Sequence, residues 1–232
     1  MYLDHYNNAP LLLRKRIEVL LAKLEVTITQ ESKVAFAKII SKNPNLHIYS
    51  IGLFYSSEGW DAITPILFSE EGLQYVAESY AFNCADKLAA KKTALRWSPC
   101  DSPHYDDDSF FNIMPITKIL LKEMSKTLDI ADPMFKQYQW PEGYLGNYNL
   151  FYEFLTHVYQ KIQNVVISGL REVWKTPALR DFFIANRCAL TLSSDPISNE
   201  QLLDYAAKLN TEVTYNKLKQ ELEKSSQVQK IR

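Results

Sequence analysis

Leu13, Ile17, Leu20, Leu21 and Leu24 recur at steps of three and four residues, the spacing of one face of an α-helix. Arg14-Lys15-Arg16 fall within this pattern as a solvated face, so the pattern predicts that the chain opens on an amphipathic helix. A second helix is expected from about Gln30 to Ser41, with Val34, Ala37 and Ile40 inward and Asn43-Pro44-Asn45 ending it. The period then changes to two. Tyr49, Ile51, Leu53 and Tyr55 alternate with Ile48, Ser50, Gly52 and Phe54; both sets are largely apolar, which reads as a strand covered on both faces. Ser56-Ser57-Glu58-Gly59 supplies a hairpin loop. The return strand, roughly Trp60 to Phe68, contains Pro65, which cannot donate to a ladder, so this strand belongs at a sheet edge.

Ser69-Glu70-Glu71 caps the next helix, with acids in its first turn where the helix dipole favours them. Its inner face is read as Leu73, Val76, Ala77, Tyr80, Ala81, Cys84 and Leu88, one long helix. An irregular acidic loop follows from Trp97 to Asp108, then a helix from about Met114 to Leu128 with Pro115 in its first turn. The loop over 132–147 holds two prolines and two glycines and is the candidate lobe boundary. A long helix from Asn147 to Trp174 buries Phe151, Phe154, Leu155, Val158, Ile162, Val165 and Val166. Thr176-Pro177 starts a short helix, and Cys188, Leu190 and Leu192 alternate as a third strand. Ser198 with Gln201 opens another helix as a capping box, and the last helix ends near Lys224. The fold class expected is α+β: one domain over 1–232, with a small, mainly antiparallel sheet of three or more strands, about seven helices around it, and a disordered tail over 225–232.

Charge narrows the partners. With 26 basic and 27 acidic side chains the net charge is −1, without the positive excess that phosphate binding demands. From Lys208 onward six basic residues face three acidic ones, a sparse solubilising end. Nucleic acid is therefore not an expected partner. No apolar run approaches the roughly 20 residues that cross a bilayer, and Asp4 and Arg14 interrupt any leader-like segment. Three cysteines that cannot all pair suggest a reducing, cytoplasmic setting.

Only six glycines are present, and none forms GxGxxG, GxxxxGK[ST] or GxSxG. No CxxC or HExxH occurs, so no cofactor and no resident metal is expected. Cys84 and Cys188 fall on inward faces as packed thiols, and His157 lies four residues from Glu153 on a polar helix face. One loop gathers reactive types. Asp101 and His104, in a loop stiffened by Pro99 and Pro103, are the candidate acid–base pair, with Arg96 to orient an anionic group. His104 with Asp106 and Asp108 is a weak candidate for a divalent cation, although consecutive aspartates also suit a helix N-terminus. Arg96 beside Trp97 reads equally as an anchor, indole buried and guanidinium stacked or paired. Loop aromatics Trp97, Tyr138, Trp140 and Tyr144 are the candidate binding surface, with internal packing as the competing explanation.

The hairpin over 48–68, the helix after it, and Leu95-Arg96-Trp97-Ser98-Pro99 with Asp101 resemble an uncharacterised bacterial domain-of-unknown-function family, DUF4303, with an LRWSP.D signature. The strand Cys188 to Ser193 and the helix ending at Leu209-Asn210 are similar to that family's ending. The resemblance implies a bacterial protein and supplies no catalytic residue. By analogy with small cytoplasmic families, it suggests an immunity-like protein of a toxin system. The reading favoured is thus a non-enzymatic protein-interaction module with a protein partner. The alternative is a hydrolase or metal-binding accessory built on the 96–108 loop.

Overall fold

A computed structural model describes residues 5–56, 60, 63–81, 85–99, 114–195 and 197–230. Ten α-helices and three strands occur among them. Helix α1 (His5–Asn8) leads into α2 (Leu11–Lys42), which is followed by β1 (Ile48–Ser56) and β2 (Ile63–Ser69). Helices α3 (Glu70–Ala81), α4 (Ala85–Leu95), α5 (Pro115–Leu128), α6 (Pro133–Lys136) and α7 (Tyr148–Arg171) come next. A 3-10 turn (Glu172–Lys175), α8 (Pro177–Ala185), β3 (Ala189–Asp195), α9 (Asn199–Leu209) and α10 (Glu212–Lys230) complete the chain.

The two opening helices expected from the sequence are one. Its buried stripe continues from Leu13 through Ile28 to Ser32, Ala35, Phe36 and Ile39 without a break. Ser32 sits on that stripe and is fully buried, which is why polar Thr27 to Ser32 mimics an interruption. The inward face expected at Val34 is also displaced, since Val34 is 66% exposed and its neighbours Ala35 and Phe36 carry the core.

The sheet has the order β2-β1-β3. β1 and β2 pair antiparallel, with Leu53 opposite Pro65, and β2 is an edge strand as its proline requires. β1 and β3 pair parallel, Gly52 beside Thr191, so the sheet is mixed rather than mainly antiparallel. The alternation of a strand carries no information on its direction; β3 reaches the sheet only after a long helical excursion, which permits the parallel approach. Gly52 is required there, because a Cβ would lie 2.0 Å from the Thr191 carbonyl oxygen.

Both sheet faces are covered. Ile51, Leu53, Leu67, Leu190 and Leu192 join the main core with α2 and α7. Gly169 lets these two helices meet, since a Cβ there would stand 3.0 Å from Ile28 Cγ2. A register irregularity between Ile48 and Ser50 changes the alternation. Tyr49 consequently packs with Phe54, Ile66, Phe68 and Leu73 on the second face, not beside Ile51 and Leu53 as simple alternation places it.

Ser69 accepts a hydrogen bond from the Gly72 amide at 3.0 Å and caps α3 as expected. The long helix anticipated beyond it is two helices, α3 and α4, joined through residues 82–84 that lie outside the described set, as does Cys84. Arg96, just after α4, reaches Glu70 at the start of α3, so the pair is an antiparallel hairpin. Ser198 accepts from the Gln201 amide, as the capping-box pattern requires, and α10 continues past Lys224 to Lys230.

Candidate functional site

The displaced Tyr49 builds the structural centre of the candidate region. Its hydroxyl donates to the Arg96 carbonyl at 2.6 Å, and the Arg96 guanidinium lies 4.1 Å from its ring centroid. Trp97 meets Tyr49 edge-on at 5.4 Å and Phe68 at 6.3 Å. β1 and β2 thereby fix the backbone at the end of α4, and the guanidinium lies over the Tyr49 ring within reach of two carboxylates.

Arg96 Nη1 and Nη2 donate to the two oxygens of Glu70 at 3.1 and 2.6 Å, a bidentate pair. Nε donates to Glu221 Oε2 of α10 at 2.9 Å. Burial alone would lower the Arg96 pKa, but the two carboxylates outweigh it and hold the group charged more firmly than usual. Burial raises that of Glu70, yet its bonds to Arg96 leave the carboxyl below its ordinary value. One side chain so locks β1, the α3–α4 hairpin and α10 together. Beside it opens a recess of about 280 Å³ lined by Leu73, Lys92, Thr93, Arg96, Glu221 and Lys224. Thr93 Oγ1 donates to the Ala89 carbonyl, and the remaining polar lining consists of Lys92, Lys224, Arg96 and the Glu221 carboxylate that Arg96 pairs.

Of the sequence-selected residues, Arg96 and Trp97 are thus brought together, while Asp101, His104, Asp106 and Asp108 lie outside the described residues, as does Cys100. Tyr138, Trp140 and Tyr144 gather in a second aromatic nest. Phe135 meets Tyr138 edge-on and Trp140 at 5.1 Å, and Trp140 packs tilted at 5.0 Å against the buried Tyr144 and edge-on against Phe154. These rings knit the 132–147 segment to α7.

Other titratable groups occupy structural positions. Cys188 is fully buried and burial pushes its thiol up, which suits a packed, inert sulfur. The His47 ring, exposed, pairs with Glu71, whose carboxylate also accepts from the His47 amide at 3.0 Å. His157 Nδ1 bonds the Glu153 carbonyl at 2.8 Å. Among the described residues no group of three His, Cys, Asp or Glu side chains is arranged to hold a metal, and no helix is long and apolar enough to cross a membrane.

Glu70 and Glu221 were not singled out by the sequence as Arg96 partners. They stand 26 and 125 residues away, beyond any local spacing rule. Glu70 carried a helix-cap signal; Glu221 carried none. Glu31 is a third such residue, accepting from the Ile116 and Thr117 amides at 2.9 Å each and capping α5 from α2.

A family model described as Domain of unknown function (DUF4303) matches residues 28–157. No curated protein and no solved structure matches the chain. The matched span contains Tyr49, Glu70, Arg96 and Trp97, and Glu221 lies outside it.

Proposed function

The chain belongs to the family of unknown function DUF4303, and on that premise we propose that it acts as a non-enzymatic protein-interaction module. The observation that supports this most is the occupation of Arg96. Three of its donors are spent on Glu70 and Glu221, and its cationic face on Tyr49. An anionic substrate would have to displace two carboxylates already in place, at a desolvation cost that favours neither binding nor turnover. Exposed aliphatic side chains, by contrast, concentrate on the outer face of α2, where Leu12, Val19, Val26 and Val34 all point to solvent.

The finer form of the proposal is an immunity-like role in the bacterial cytoplasm, neutralising a toxin partner; it rests on analogy of layout alone. Native mass spectrometry of the tagged chain, held at its natural level in its own host, tests the reading. A stoichiometric complex with another protein is expected. A monomer recovered without a partner across growth conditions contradicts it.

A further inference from the structure

The outer face of α2 combines exposed aliphatic side chains with lysines that form no ion pair among the described residues. Leu12, Val19 and Val26 follow one another at seven-residue steps and Val34 comes eight later, each between 55% and 71% exposed. At about 100° per residue these positions stay within one narrow stripe along the helix. Helix α5 runs alongside in the opposite direction, since Glu31 caps its first turn while Arg16 reaches Glu123 at 3.7 Å. Ile116 and Ile119, both exposed, extend the aliphatic surface onto α5 near the Val34 end.

The charges on these two helices that form neither an ion pair nor a hydrogen bond among the described residues have one sign. Lys15, Lys23 and Lys33 on α2 and Lys118 and Lys122 on α5 form no ion pair among the described residues. Every acidic side chain of the two helices is engaged elsewhere. Glu18 holds Tyr6 and Lys161, Glu25 holds Ser168, Glu31 caps α5, and Glu123 faces Arg16. The result is a stripe of aliphatic side chains at seven- and eight-residue steps, with lysines among and beside them that form no ion pair among the described residues.

We propose that this face docks an acidic amphipathic helix of a partner protein, with leucine or isoleucine knobs seated between Val19, Val26 and Val34 and glutamates or aspartates meeting the lysines. This deepens the interaction-module reading and rests on it. Heptad spacing suits a helix crossing at a shallow angle. A second copy of this chain would set lysine against lysine across the ridge, which like-charge repulsion opposes. A lipid surface would call for deep-seated aromatic anchors, whereas no Trp or Phe stands among the exposed apolar side chains of the described residues.

The probe is a synthetic helix of about four heptads with leucine at the core positions and glutamate at the flanking ones; its twin carries lysine at the flanks. Anisotropy titrations against the full chain should show binding of the acidic peptide only. Raising salt from about 0.05 to 0.5 M should weaken it about tenfold, and so should Val19→Asp with Val26→Asp. Both substitutions sit on exposed positions, and circular dichroism confirms that the variant keeps its fold. Equal binding of the two peptides, or binding untouched by the double variant, overturns the proposal. So does association with phosphatidylserine–phosphatidylcholine vesicles in place of the peptide, or a dimer in sedimentation that the double variant abolishes. The host experiment separates the two levels: a native complex that survives the double variant defeats the docking face and leaves the interaction reading standing, while no complex at all defeats that reading.

Discussion

Replacing Arg96 with methionine measures whether its guanidinium is a structural bolt. Glu221, with a side chain only 20% exposed, loses a charged partner and is left mostly covered; that costs about 1.5–3 kcal/mol. Glu70 is 41% exposed and can rehydrate, so its bidentate pair is worth about 0.5–1 kcal/mol. The cation over Tyr49 adds about 1 kcal/mol, and the methionine stem returns a similar amount by covering the same ring. A net loss of about 2–4 kcal/mol is expected. It is read from the urea unfolding midpoint at unchanged m-value. Adding Glu221→Gln removes the stranded charge and should restore about 1 kcal/mol. The pH dependence has a defined sign. Glu70 is held below its ordinary value by Arg96 despite the opposing effect of burial, so its contribution is present above about pH 4.3 and disappears as pH falls through the depressed folded value. Arg96→Met should flatten that acid limb. A loss under about 1 kcal/mol, or a double variant weaker than the single one, would refute the reasoning and leave Arg96 free to serve a ligand.

Three further outcomes follow from the same geometry. Glu31→Ala should cost about 1–2 kcal/mol in thermal or urea unfolding by uncapping α5, with Glu31→Gln intermediate because one amide oxygen replaces two carboxylate oxygens. Gly52→Ala should cost about 3 kcal/mol or abolish soluble expression, because its Cβ meets the Thr191 backbone; retention of wild-type stability would contradict the parallel β1–β3 register. The His47 ring, raised above its ordinary pKa by its hydrogen bond to Glu71, should titrate above about 6.5 by NMR and shift downward in Glu71→Gln. The pair's stabilising effect is then present below that pH and fades as pH rises through the folded pKa.

Much of the local architecture was legible because it is written in short-range rules. The edge position of β2 follows from Pro65, and the starts of α3 and α9 follow from Ser69 and Ser198. What failed depended on distant residues. The pairing direction of β3 is decided by the path of α7 and α8, not by the alternation of Cys188, Leu190 and Leu192. Tyr49 changed faces through a local irregularity that no hydropathy pattern marks. Ser32 interrupted the apolar pattern of α2 while lying in its buried stripe. The anchor at Arg96 was readable as one of two alternatives from Arg96-Trp97 alone, but its carboxylate partners were not. Glu221 belongs to a segment whose composition suggested a solvated end, and only the docking of α10 beside α4 gives it a role.

We propose that a partner docks on the outer face of α2 and α5 and not in the recess beside Arg96. Lysine acetylation, quantified by mass spectrometry on the free chain and on its native complex, tests this most directly. Protection of Lys15, Lys23 and Lys33 in the complex, with Lys92 and Lys224 of the recess unchanged, is the predicted result. Protection of Lys92 and Lys224, with the α2 lysines equally reactive in both states, would contradict it.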